Sequence, residues 1–176
     1  MNDILSAIKK RSSTRGYTAE KLTNAELESL LKAGLQAPTA ANRQEIHISV
    51  VDGGHPILAE IEAEKNAQMN IHTPPDNFYY SAPLVLILSG DKDFPWSDLD
   101  AGIMVENIAL AAEGLGLGSV ILGVIKGAMS GAKKEYFAKA LKFPENYEFE
   151  VAIAIGHKSV EKEPHEYDMK KNISYL

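Results

Sequence analysis

The run Ser97-DLDAGIMVENIALAAEGLGLGSVIL-Gly123 holds the longest helical pattern in the chain and passes directly into a strand. Ile103, Met104, Ile108, Leu110, Ala111 and Leu115 spread over a wide apolar arc, so this helix is either deeply buried or shared with a second chain. The glycines from Gly114 to Gly123 have a superficial likeness to a dinucleotide fingerprint. In that motif a strand precedes the glycines and a helix follows, so that phosphate meets a helix N-terminus. Here the order is reversed, and the glycines read as a helix C-cap leading into the strand SVILG, residues 119 to 123. A functional reading also survives. Glycine lets a backbone approach a flat ligand closely, and Leu122 and Gly123 at the strand's end present amides.

Downstream, AKKEYFAKALKF (132 to 143) reads as a surface helix and FEVAIAIG (149 to 156) as a strand. The tail from His157 is polar and finishes in NISYL, where Ile173 and Tyr175 would share one side of an edge strand. Upstream, LVLIL (84 to 88) is apolar on both faces between Pro83 and Gly90, as a central strand is. EIHISVVD (45 to 52) alternates as a half-buried strand, with Ile46, Ile48 and Val50 on one face. HPILAEIEAEKNAQ (55 to 68) reads as a short exposed helix. The stretch from Ala67 to Tyr80, with Pro74, Pro75 and Asn77, is the most loop-like and long enough to be functional. TNAELESLLKAGLQA opens on a Thr23/Glu26 capping box and turns Leu27, Leu30 and Leu31 inward. Asp3 to Arg11 forms a first helix with Ile4, Leu5 and Ile8 on one face. Helices and strands are interspersed, so a sheet covered by helices on both faces is expected.

With 176 residues the chain suits one domain, and one of roughly 150 residues buries on the order of 70% of its unfolded surface. The absence of cysteine excludes disulfides, thiolate metal sites, iron–sulfur clusters and cysteine nucleophiles, so redox chemistry would need a bound cofactor. The start, MNDILSAIKKRS, is too polar for a signal peptide, and no apolar run nears the roughly 20 residues that span a bilayer. A cytoplasmic location and no membrane contact are expected.

The net charge of -6 is unevenly spread. Residues 1 to 21 carry five basic groups (Lys9, Lys10, Arg11, Arg15, Lys21) against Asp3 and Glu20, a balance of +3, leaving 13 basic and 22 acidic residues elsewhere. Such an acidic body argues against nucleic acid as a partner, but not against a focused anion site at its basic end.

The five histidines fall at no helical i, i+4 spacing, and the chain lacks HExxH, GxSxG, SxxK and P-loop patterns, so no metal site or nucleophile is expected. KKRSSTRGY, Lys9 to Tyr17, is the sharpest local signal. Arg11 and Arg15 with Ser12, Ser13 and Thr14 supply bidentate charge and short donors of the kind a phosphate monoester requires. An ordinary solvated helix end is the competing reading, and a helix C-terminus is the wrong dipole end for an anion, so side chains would have to do the binding. In APTAANRQ, Ala37 to Gln44, the amides of Asn42 and Gln44 can read the edge of a planar heterocycle, although the loop by itself is ordinary.

Taken in order and spacing, KKRSSTRGY, APTAANRQ, FYYSAPLVLIL, DAGIMVENIALAAEGLGLGSVILG and FEVAIAIGH resemble the FMN-dependent nitroreductase family, nearly end to end and in its compact form. The resemblance implies an α+β fold, a mixed sheet flanked by helices on both faces, in an intertwined homodimer with two FMN sites at the subunit interface. Residues 1 to 176 would form a single FMN-binding domain, with 158 to 176 a tail reaching over the partner subunit. Arg11, Ser12, Ser13 and Arg15 match the family's phosphate and ribityl contacts. Pro38, Thr39, Ala40 and Asn42 match the loop that the other subunit lays against the flavin, with Gln44 nearby. Leu122 and Gly123 stand where backbone amides approach the isoalloxazine, and Lys170 and Lys171 are candidates for the last phosphate contact. Two departures bear on substrate preference: Glu45 and Ile46 replace a frequent Pro-aromatic pair, and Glu106 replaces a frequent Gln.

The activity so implied is ping-pong transfer, with NADH or NADPH reducing FMN and the flavin reducing a nitroaromatic, quinone or similar conjugated acceptor. Alternatives are another flavin reaction on the same scaffold, such as dehalogenation or enoate reduction, a flavin storage or sensor protein, or a binder of some other phosphorylated metabolite.

Overall fold

The computed structural model describes residues 3–72 and 76–176. Pro74 and Pro75, singled out above, lie outside the described residues. Four strands, β1 (His47–Asp52), β2 (Leu84–Asp91), β3 (Leu117–Leu122) and β4 (Tyr147–His157), make one sheet in the order β1-β2-β4-β3. All three ladders are antiparallel, and the parallel component is a single bridge between Ser13 and Ser119 at the outer edge of β3.

Side chains alternate across the pleat, and this divides the core in two. Leu84, Leu86 and Leu88 of β2 pack with Leu30, Met104, Ile108, Ile153 and Ile155 beneath α2 (Asn24–Leu35) and α4 (Ser97–Gly114). On the other face, Val85 and Ile87 join Leu58, Ile61, Phe137, Ala152 and Ala154 beneath α3 (Pro56–Gln68), α5 (Lys126–Ser130) and α6 (Lys134–Ala140). β2 is thus buried on both faces, as its unbroken apolar run predicts. Helices cover both sides of the sheet, as expected.

The capping box at the start of α2 is present in both directions: Glu26 N–H donates to Thr23 Oγ1 at 3.2 Å, and Thr23 N–H donates to Glu26 Oε2 at 2.7 Å. At its other end α4 stops at Gly114, shorter than its sequence pattern. Gly116, at φ 77°, takes the left-handed conformation that releases the chain, and Leu117 and Gly118 are already in β3.

Three expectations are corrected. The helix expected to be short and exposed, α3, turns Ile57, Leu58 and Ile61 into the core, because its apolar residues fall on one side. Of the three residues expected to share one face of the first strand, Ile46, just before β1, is buried and Ile48 half-buried, but Val50 is 47% exposed. Its neighbours Ser49 and Val51, on the opposite face of β1, are the buried ones. The expected NISYL strand is not formed. Residues Met169–Asn172 make a single turn, α7, capped by Asp168, and the chain beyond it is exposed. The β3 edge, one place where such a strand could pair, is already met by Ser13.

Helix α1 (Asp3–Lys10) has no buried residue, and Leu5 and Ile8 are exposed. Leu35 and Leu99 are exposed as well. Among the described residues no helix is long and apolar enough to cross a membrane.

Candidate functional site

The basic row, Arg11 to Arg15, is held by its backbone to the edge of β3 at Thr14, and the residues after it are held to the chain at the end of β4. Thr14 N–H donates to Ser119 O at 2.9 Å, Thr18 N–H to His157 O at 2.9 Å, and Ser159 N–H to Gly16 O at 3.1 Å. This close approach depends on Gly118, because a Cβ there would meet Thr14 Cγ2 at 2.7 Å and Lys158 Cγ at 2.8 Å. Tyr17 locks the row from beneath, its hydroxyl donating to Thr14 O at 2.9 Å and Ala154 O at 3.3 Å. Burial pushes the Tyr17 phenol well above the usual tyrosine range, with Tyr80 adding to the rise and Arg15 opposing it, so it stays a neutral donor.

The two guanidiniums have different standing partners. Arg11 Nε lies 3.6 Å from Glu106 Oε1 on α4. Arg15 Nε donates to the Tyr80 hydroxyl at 3.3 Å, with its Cζ 5.8 Å from the centre of that ring. Between them, the hydroxyls of Ser12 and Ser13 make no hydrogen bond within the described residues and remain available to a ligand. From Ser119, which anchors the row, β3 runs four residues to Gly123, a span of roughly 13 Å at the usual strand rise. Leu122 is buried, whereas Gly123 is exposed and has nothing within 4 Å of where a Cβ would stand. The row and the Leu122–Gly123 corner are therefore brought together along one strand edge, with a charged end and an open, flat end.

The Ala37–Gln44 loop is held in a strained shape. Ala41, Asn42 and Gln44 all have φ 53°, the left-handed region that side chains other than glycine seldom adopt. Four hydrogen bonds fix it: Asn42 N–H donates to Thr39 O at 2.9 Å, Arg43 N–H to Ala40 O at 3.2 Å, Gln44 N–H to Thr39 Oγ1 at 2.9 Å, and Gln44 Nε2 to Asn42 Oδ1 at 3.1 Å. The loop is tied to the body by Ala40 N–H, which reaches both oxygens of the buried Asp100 carboxylate at 2.9 and 3.1 Å. Strain of this kind persists only where its surroundings enforce it, and it clusters at functional positions. Asp100 and Glu106 are six residues apart on α4, about 120° round the helix. The loop held by Asp100 and the row touched by Glu106 thus meet different faces of α4.

Lys170 and Lys171 are exposed on α7, and neither has an ion pair or a side-chain hydrogen bond among the described residues. A cavity of about 360 Å³ lies elsewhere, lined by Asp98, Lys126 and Glu150 among others and by none of the predicted site residues. Burial, and then a hydrogen bond with Asp98, pushes the Glu150 carboxyl up to about 8, while the same bond lowers Asp98, so the shared proton rests on Glu150. No group of three or more metal-binding side chains occurs among the described residues.

Asp100, Glu106, Tyr17 and Tyr80 were not among the predicted site residues. Asp100 did leave a sequence signal. It shares a helical stripe with Ala101, Met104 and Ile108, and a carboxylate on a buried stripe needs a donor. Tyr80 left none, since only the folded chain brings it to Arg15.

The Nitroreductase family model matches residues 8–157. A nitroreductase from Desulfitobacterium hafniense, solved with bound FMN, superposes with a TM-score of 0.88 at 32% identity, covering 100% of this chain and 99% of that one. A protein of Archaeoglobus fulgidus, named for NADH dehydrogenase or NAD(P)H nitroreductase activity, is 30% identical over 98% of this chain and 95% of its own length. An NAD(P)H-dependent FMN reductase of Bacillus subtilis is 26% identical over 89% of this chain, which spans 66% of that protein.

Proposed function

The chain belongs to the nitroreductase family, and on that premise we propose that it is an FMN-dependent NAD(P)H oxidoreductase acting on a nitroaromatic, quinone or related conjugated acceptor. The observation that carries this reading is the row Arg11-Ser12-Ser13-Thr14-Arg15 fixed at Ser119, one strand length from the open corner at Gly123. Its residues fit FMN. Two guanidiniums, with two hydroxyls that make no hydrogen bond among the described residues, suit a phosphate, and an exposed glycine with nothing within 4 Å of where a Cβ would stand suits a flat ring. When bound, FMN supplies the electron-transfer chemistry, accepting two electrons from NADH or NADPH and passing them to the acceptor.

The protein's tasks are then binding and orientation. Arg11, Arg15, Ser12 and Ser13 hold the phosphate and the chain next to it. Leu122 and Gly123 offer backbone amides to the ring edge. Pro38, Thr39, Ala40, Asn42 and Gln44 serve the flavin of a second subunit, in keeping with their place on a different face of α4 from the basic row. The second subunit packs on the exposed Leu5, Ile8, Leu35 and Leu99, making a homodimer with shared sites. Lys170 and Lys171 reach a phosphate once the 158–176 tail lies over the partner. The single domain spans the whole chain, and we read it as a cytoplasmic enzyme.

The purified protein is expected to be yellow, or to turn yellow and gain thermal stability on adding FMN, and to bleach anaerobically with NADH or NADPH. A colourless chain that neither binds nor is stabilised by FMN overturns the reading. A yellow chain that neither donor bleaches is a flavin carrier and not this enzyme.

A further inference from the structure

We propose that Glu106 is a standing counter-ion of Arg11 that weakens the grip of this site on a flavin phosphate, and so sets how strongly the chain prefers phosphorylated over unphosphorylated flavin. The inference rests on the FMN reading above.

Arg11 leaves the end of α1 with its N–H donating to Ala7 O at 2.8 Å, and its side chain crosses to α4. There Glu106 Oε1 stands 3.6 Å from Nε, with the Arg11 side chain 21% and the Glu106 side chain 46% exposed. Arg15, the other cation of the row, has the Tyr80 hydroxyl and ring beside it and no carboxylate in an ion pair with it among the described residues. One of the two guanidiniums thus already stands beside a carboxylate, and the other does not. Glu106 lies in the middle of α4, distant from either helix end, so no helix dipole offsets its charge. Through its fork of donors Arg11 can keep Glu106 on Nε while offering its terminal nitrogens to a phosphate. A phosphate monoester carries close to two negative charges near neutral pH, and one seated on Arg11 meets the Glu106 carboxylate across a single guanidinium. Like charges at that separation repel, partly screened because the Glu106 side chain is half-open to water. Riboflavin lacks the phosphate and is indifferent to Glu106.

The test titrates FMN and riboflavin against full-length wild type and Glu106→Gln, reading the quenching of flavin fluorescence. Glutamine keeps the size and one acceptor oxygen of a half-exposed side chain, so the fold is retained, as circular dichroism will verify. The expected result is a fall of about three- to tenfold in Kd for FMN with no gain for riboflavin, the difference shrinking as salt rises. An FMN affinity that is unchanged or weaker, or a riboflavin gain as large as that for FMN, overturns the proposal while leaving the FMN reading intact. A wild-type chain that binds no FMN overturns both.

Discussion

The buried Asp100 carboxylate accepts the Ala40 N–H through both oxygens, at 2.9 and 3.1 Å, and so ties the left-handed Ala41–Asn42 loop to the first turn of the long helix. The bond lets an acidic residue occupy an otherwise apolar stripe. Asp100→Ala leaves the half-buried amide unpaired and lets the strained loop relax. A loss of about 1 to 3 kcal/mol is expected, measurable by urea unfolding. Asp100→Asn should fall between, since its amide retains one acceptor. Equal stability of all three proteins would show that the loop holds its shape without this tie.

Arg11→Ala and Arg15→Ala each remove a charge-assisted contact to the proposed phosphate, worth about 1.5 to 3 kcal/mol. Each should raise the Kd for FMN at least tenfold and leave riboflavin binding nearly unchanged. Fluorescence titration separates this outcome from general damage to the site, which would weaken both ligands alike.

Gly118→Ala places a methyl group 2.7 Å from Thr14 Cγ2 and 2.8 Å from Lys158 Cγ. Overpacking of this kind costs about 1 to 3 kcal/mol, and here it pushes the basic row off β3. The variant should melt earlier and also bind FMN less tightly. A lower melting temperature with FMN affinity intact would mean that the row does not depend on its seat beside Gly118.

Glu150 has a folded pKa raised from 4.5 to about 8, first by burial and then by its hydrogen bond to Asp98. The folded chain therefore binds this proton more tightly than the unfolded chain does. Its contribution to stability is complete below pH ~4.5 and is lost as pH rises through about 8, so between these values stability falls with pH on account of this group. Because the side chain is half-exposed, solvent reduces the size of the effect. Glu150→Gln removes the titration, and its urea midpoint should vary less between pH 5 and pH 8.5 than that of wild type. Identical pH profiles would place the proton elsewhere.

Leu5 and Ile8 sit on a helix with no buried residue. Replacing both with lysine should leave the fold intact by circular dichroism and shift the protein from dimer to monomer in light scattering. On the proposed sharing of sites, FMN affinity should fall with it, because the Pro38–Gln44 loop read as serving the flavin of the other subunit would be lost. A double variant that stays dimeric would move the interface off α1.

Elements whose physics is local were legible in the sequence. The Thr23/Glu26 box, the apolar run of β2 and the glycine stop after α4 each depend on neighbours a few residues away, and each is present. The NISYL strand was misread because alternation in five residues cannot tell whether a strand edge is available to pair with it. Val50 was misread for a related reason: alternation says which side chains share a face, not how far the helices cover it.

For the site, the sequence by itself determined the chemistry: two arginines among hydroxyls, a loop of amides, glycines after an apolar helix, and no thiol, metal set or nucleophile to compete with a bound redox cofactor. Side-chain type and order along the chain settle those matters, and the family resemblance rests on the same order. Only the tertiary structure decided which partners these groups keep. Glu106 comes to Arg11 across 95 residues and Asp100 to Ala40 across 60, both from α4, and Tyr80 comes to Arg15 across 65 from the turn before β2. A carboxylate and a phenol act on a guanidinium through space, with a strength fixed by distance and burial. Neither quantity is written in the order of residues, and both appear only when the two cores close around the sheet.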